Sequence, residues 1–258
     1  MKTSAYHPHH TQIISSIMDG DAVALSSFIQ TIPPNSRAEV LNLRYSDDNS
    51  NVTPLDMAAN IGNAEFIKML LDSGANVNAK DNDNNTALHW ASLNGKEAAV
   101  RLLLENGADL VENCVGTTAI HDATKNGHLE VFKLLVENFP DQLNKPNKYG
   151  NTPLMRACIF GRANIIEHLC KTYPNEAYDI DLNHENNRGF TALDIATGRK
   201  HDEVIKLLND AVSLYGNVAE RGRSWGKEKN NKPDHFTEKT DWQEFLKKQP
   251  IEKDTREL

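Results

Sequence analysis

Cysteine is scarce in this sequence: three occur in 258 residues, with no paired spacing. That argues against a disulfide framework and for a reducing, cytoplasmic compartment. No stretch approaches the roughly 20 apolar residues that span a bilayer, so no membrane segment is expected. The first thirty residues lack a basic stretch followed by an apolar core, so no secretory leader is expected either. There is no phosphate-cradling glycine loop, no H-E-x-x-H, no C-x-x-C and no nucleophile elbow. The chain is therefore read as a non-enzyme without catalytic residues or cofactor. His7, His9 and His10 cluster around Pro8, but three imidazoles on a terminal stretch are an adventitious ligand set rather than a built metal site. Basic charge is also in short supply. The formal net charge is −8, and residues 213–258 hold ten Lys and Arg against nine Asp and Glu, leaving about −9 on the rest. Nucleic acid is excluded as a partner by that balance, since phosphate binding needs a basic face; a partner with a basic or mixed surface is favoured.

What is abundant is self-similarity. One phrase recurs five times: Thr53-Pro54-Leu55-Asp56-Met57-Ala58-Ala59, Thr86-Ala87-Leu88-His89-Trp90-Ala91-Ser92, Thr118-Ala119-Ile120-His121-Asp122-Ala123-Thr124, Thr152-Pro153-Leu154-Met155-Arg156-Ala157-Cys158 and Thr191-Ala192-Leu193-Asp194-Ile195-Ala196-Thr197. The threonines lie 33, 32, 34 and 39 residues apart. Such a period means a solenoid, in which no unit buries its apolar face alone. Each threonine reads as an N-cap, with Pro54 and Pro153 at the first helical position where no N–H is needed. Nine residues after the first four threonines stand Gly62, Gly95, Gly127 and Gly161, placed to end a short helix in the left-handed conformation. Apolar residues at helical spacing follow, as in Phe66, Ile67, Leu70 and Leu71. Two residues before each threonine sits Asn or Gly (Asn51, Asn84, Gly116, Gly150, Gly189), suited to a tight turn. The unit is turn, helix, tight turn, helix.

On these residues, together with segments such as Asp72-Ser73-Gly74-Ala75-Asn76-Val77-Asn78-Ala79, the chain resembles the ankyrin-repeat family over roughly residues 45–210. The fold class implied is an all-α solenoid of stacked helix pairs with short pairings at the turn tips. Repeats are expected to begin near residues 11, 48, 81, 113, 147 and 186, within a domain spanning 1–212. The first is a degenerate capping unit read from Ile13, Ile14, Ile17, Gly20, Val23, Leu25, Phe28 and Ile29. Asp56, Met155 and Asp194 replace the family's usual His, which puts any hydrogen bond between repeats in doubt there. Lys200 stands in place of the closing glycine of the last unit. The stretches Thr31 to Asn51 and Thr172 to Glu185 are longer than their counterparts, and extra residues in a solenoid map to loops.

The resemblance implies a binding protein whose turn tips and exposed first-helix positions line a concave surface. Those positions, four, seven and eight residues after each threonine, carry Trp90, Leu93, Asp122, Lys125, Arg156, Ile159 and Phe160, with Tyr149 on a tip. The framework has no need for Trp90, Tyr149, Arg156 and Phe160 at sites expected to face solvent, and such residue types dominate interface hot spots. Trp90 and Phe160 would otherwise pack sideways between neighbouring first helices. Cys158 and Cys170 read as inert packing residues, whereas Cys114 falls on a turn tip. Residues 213–258 leave the pattern as a polar, flexible tail. Within it Thr240-Asp241-Trp242-Gln243 forms a capping box, and Trp242, Phe245 and Leu246 share one face of a short helix near 241–248, to dock on the last repeat or in a foreign groove. The functional expectation is a monomeric scaffold or inhibitor that binds another protein. The alternative is a translocated bacterial effector acting in a host cell, with the tail as its export signal.

Overall fold

The computed structural model describes residues 8–44, 51–172 and 180–219. Six helix pairs follow one another along the chain. They are α1 (Pro8–Asp19) with α2 (Ala22–Thr31), α4 (Pro54–Ile61) with α5 (Ala64–Asp72), and α6 (Ala87–Leu93) with α7 (Glu97–Glu105). Then come α8 (Ala119–Asn126) with α9 (Leu129–Asn138), α10 (Pro153–Ile159) with α11 (Ala163–Thr172), and α12 (Ala192–Arg199) with α13 (Asp202–Ala219). First helices pack on first helices in the order α4, α6, α8, α10, α12, and second helices α5, α7, α9, α11 and α13 likewise pack in sequence. Among the described residues no β-strand forms. The array is all-α, as the repeat phrase dictates.

The sequence signals become geometry at the turns. Asn51, Asn84, Gly116, Gly150 and Gly189 all take positive φ at the tips, and so do Gly62, Gly95, Gly127, Gly161 and Lys200 after the first helices. Position and conformation coincide because only Gly, or Asn with its short polar side chain, enters that region cheaply. The first helices α4, α6, α8 and α10 each bury Leu or Ile with small Ala residues, whereas α12 buries Ala192 and Ala196 with Leu193 and Ile195 half-buried. Ala58, Ala91, Ala123, Ala157 and Ala196 are all fully buried, which lets adjacent first helices approach closely. The second helices supply larger side chains, including Phe66, Leu70, Val100, Leu103, Phe132, Leu135, Ile166 and Leu169. One contiguous core runs from Ile13 to Leu208.

Three expectations are corrected. The stretch after Thr31 is not an extended loop: Pro33 and Pro34 start a helix, α3 (Pro34–Leu41), whose Val40 and Leu41 are buried. Its hydrophobic signal is two residues long, too short to read as a helix from periodicity. Val23 is 80% exposed and takes no part in the capping unit's core, which Ile13, Ile17, Leu25 and Ile29 form. Finally, α13 continues through Gly216 to Ala219, because nothing in Leu214-Tyr215-Gly216-Asn217-Val218 is a stop signal as strong as proline. The tail motif Trp242, Phe245 and Leu246 lies outside the described residues.

Candidate functional site

Neighbouring units are joined through the residue three after each threonine. In the third unit, His89 Nδ1 accepts from the Thr86 backbone N–H at 3.1 Å, and Nε2 donates to the Thr117 carbonyl of the next unit at 3.1 Å. His121 repeats this with Thr118 at 3.3 Å and Asn151 at 3.2 Å. A ring nitrogen that accepts a backbone N–H carries no proton, so the other nitrogen must be the donor. Both imidazoles are buried. Burial, reinforced by Arg156 and opposed by Asp122, pulls His121 down to about 3.

In the second unit Asp56 Oδ2 takes the Nδ1 role, accepting from the Thr53 N–H and hydroxyl, both at 2.8 Å. Its other oxygen is buried and without a hydrogen-bond partner, so no bond runs from Asp56 to a carbonyl of the next unit. Burial pushes Asp56 up to about 7 against the lowering effect of those two bonds. The cap is kept and the joint between units is lost. Met155 has no polar group for either role, and Asp194, in the last unit, keeps the cap to Thr191 at 2.9 Å.

A second set of joints escaped sequence reading. Asp81, Asn113, Asn147 and Asn186 each turn one side-chain oxygen onto two backbone N–H groups of their own tip, at 2.8–3.2 Å. The Asn113 amide donates to Asn85 Oδ1 and the Asn186 amide to Asn151 Oδ1, both at 2.9 Å. The visible signal was an Asp or Asn five residues before each threonine. The tips also bond to one another, Cys114 N–H to the Asp83 carbonyl at 2.6 Å, Lys148 N–H to Val115 and Asn187 N–H to Tyr149, both at 3.1 Å. The tips therefore form one rigid edge.

On this edge and on the first helices lie the candidate binding residues. Tyr149 is 45% exposed, and Trp90, Leu93, Lys125, Ile159 and Phe160 are half-buried. The structure brings Lys125, Arg156 and Phe160 together: Lys125 Nζ stands 5.7 Å and Arg156 Cζ 5.4 Å from the centre of the Phe160 ring. Trp90 and Leu93 lie on α6, between α4 and α8, and the Leu93 carbonyl accepts from the Asn126 amide beside Lys125 at 2.6 Å. The expectation of exposure fails for Asp122, fully buried, and Arg156, 4% exposed. Both are four residues after their threonine, a position that on packed first helices points between neighbours rather than outward. Positions seven and eight project further, and there Ile61 is 45% exposed.

The cysteines are not poised for chemistry. Burial pushes the Cys170 thiol up to about 11 and Cys158 higher still. Cys114 is exposed, and its thiol is raised by partial burial and by Asp83, whose carboxylate faces its Sγ at 3.7 Å. His10, from the N-terminal histidine cluster, is buried and bonds the Leu43 carbonyl at 2.9 Å. No group of side chains able to hold a metal ion occurs among the described residues. No described helix is long and apolar enough to cross a membrane.

The stacked helix pairs, capping boxes and tip ladder define a class of repeat protein used for recognition. A sequence model described as "Ankyrin repeats (3 copies)" matches residues 29–114, 110–181 and 142–215. The chain belongs to the ankyrin-repeat family, and such repeats are protein-interaction modules. The search of the curated proteins returned no match.

Proposed function

We propose that the chain is a non-enzymatic scaffold or inhibitor that binds a protein partner through its first helices and turn tips. The observation that carries this reading is the row of half-exposed anchors, Trp90, Leu93, Lys125, Tyr149, Ile159 and Phe160, on three adjoining units. Aromatic and long side chains held on a rigid edge lose little entropy on binding. A standard interface takes about 800 Å² from each partner, an area that several adjacent units supply together. Action as a monomer in a reducing cytoplasm belongs to the same reading, in keeping with three cysteines that form no disulfide.

The test is a pulldown with the full chain and with a Tyr149→Ala/Phe160→Ala variant whose unfolding midpoint stays within a few degrees of the parent. A partner held by the parent and lost at least tenfold by the variant supports the reading. Equal capture by both places the interface elsewhere.

A further inference from the structure

The charges of this array are sorted by layer. On the last three tips (113–117, 147–151 and 186–190), on α8, α10 and α12, and at the Lys200 that follows, the cations are Lys125, Lys148, Arg156, Arg188, Arg199 and Lys200. The acids on those same segments are two: Asp122 is fully buried, and Asp194 is tied into its cap with Thr191. The second helices carry the opposite excess, with Glu97, Glu105, Glu130, Glu137, Glu167 and Asp210 among them, all exposed. Three of their cations are already engaged along the same helix, Arg101 with Glu97 at 3.1 Å, Lys133 with Glu130 at 2.8 Å and Lys171 with Glu167 at 2.5 Å. The second helices are thus net negative, and next to the tips stand two more exposed acids, Glu112, paired with Lys145 at 2.8 Å, and Glu185.

Distance decides which charge a partner feels. Packed helices stand about 8–10 Å apart, and the screening length at physiological salt is about 8 Å. A group bound on the first-helix side is one full layer further from the acidic helices than from Lys125, Lys148 or Arg199. The local sign wins over the net sign. A partner chosen by the total charge would be basic or mixed; one chosen by this surface is acidic.

We infer that the first-helix face from Lys125 to Arg199 docks an extended, carboxylate-rich segment of a partner protein. The inference rests on the interaction reading above and names the chemistry of the occupant. Lys125 and Arg156 meet at Phe160, and the remaining cations, Lys148 of the fifth unit and Arg188, Arg199 and Lys200 of the sixth, are spread along the tips and first helices, a row rather than the single converging cluster that a bound phosphate would require. Arg156 is buried against Phe160, so its charge reinforces the site without being a fork open to phosphate. An extended segment with three residues per turn and a rise of about 3.1 Å returns to the same face roughly every 9 Å. Carboxylates at every third residue would thus meet successive units, with Tyr149 and Phe160 offering apolar contact between them.

The test uses the full chain and a displayed library of random twelve-residue peptides. Selected peptides are then measured by fluorescence anisotropy against the parent, K148E/R199E and Tyr149→Ala/Phe160→Ala. The expected result is enrichment of Asp and Glu with a three-residue spacing. Affinity should fall at least tenfold for K148E/R199E, and fall for the parent as salt is raised. If the charge reversal perturbs folding by circular dichroism, K148Q/R199Q replaces it, with a loss of roughly threefold expected. Peptides that need Tyr149 and Phe160 but are neutral or basic and indifferent to K148E/R199E would overturn the acidic partner while leaving the interface reading intact. Peptides indifferent to all the substitutions, or no enrichment at all, would overturn both.

Discussion

The first-helix face has two unlike halves. From Thr53 to Asn94 it presents Met57, Asn60, Ile61, Trp90 and Leu93, with no cation on α4 or α6, and three residues after its first threonine stands Asp56, which keeps the cap but makes no bond to the next unit. From Thr118 to Lys200 it presents Lys125, Phe160, Arg199 and the tip residues Lys148, Tyr149 and Arg188, and its joint is the imidazole of His121. The backbone framework is the same in both. An identical scaffold position, three after the threonine, thus hosts groups that respond to protons in opposite senses. A repeat fixes where a side chain goes and leaves its chemistry to vary unit by unit.

The largest expected effect tests whether the second half's tips are locked while the first half's are tolerant. A Cβ at Gly150 would lie 2.5 Å from the Asn187 backbone nitrogen, at a φ of +78. Gly150→Ala should lower stability by roughly 2–3 kcal/mol, the backbone strain of the left-handed region plus a displaced tip. Asn84→Gly in the third unit should change it by less than about 1 kcal/mol. Equal denaturant midpoints for the two would remove the contrast.

Exchanging the joints comes next. His121→Asp puts the second unit's chemistry into the fourth, leaving the Asn151 carbonyl without its donor, and should cost about 2 kcal/mol. Asp56→His should do the reverse, adding about 1 kcal/mol at neutral pH. Chemical denaturation of both variants beside the parent reads the pair, and a stabilised His121→Asp would show that the inter-unit bond has no role.

Protons should separate the halves without mutation. Asp56 has a folded pKa of about 7 against 3.8, so the folded state binds the extra proton, and its contribution, full below about pH 4, is lost as pH rises to 7. His121 lies at about 3 against 6.5, so its contribution, full above 6.5, is lost as pH falls toward 3. Between pH 7.5 and 5, amide protection in α4 should therefore rise relative to that in α8. Parallel changes in both helices, measured by hydrogen exchange, would mean that the array responds as one body.

The smallest effect lies at the end of the array. A Cβ at Gly62 would meet Lys96 at 2.5 Å, and one at Gly161 would meet His201 at 2.9 Å, because the residue after each glycine lies across the glycine of the preceding unit. Lys200 holds the same left-handed conformation, φ 59, in the last unit. Lys200→Gly should gain about 0.5–1 kcal/mol, seen as a small rise in the thermal midpoint. A loss would show that the lysine side chain has a structural partner.

Much of this was legible in the sequence because caps, turn residues and core positions recur within a unit and act over a few residues. Thr53, Gly62, Asn84 and Phe66 announced their roles. The burial of Asp122 and Arg156 did not, since an exposed-looking register position becomes a gap between helices only when the neighbouring unit packs beside it. Helix α3 was hidden for a similar reason: Val40 and Leu41 are too few to show a period, and the array supplies the surface that buries them.

The sequence by itself determined the repeat, the helix pairs, the positive-φ turns and the family, because these follow from local backbone chemistry reinforced five times. Only the tertiary structure decided which side chains of a first helix face outward, which histidine reaches which carbonyl, and which charges of successive units come to lie along one face. Those facts depend on the distance between units, and no single unit contains it.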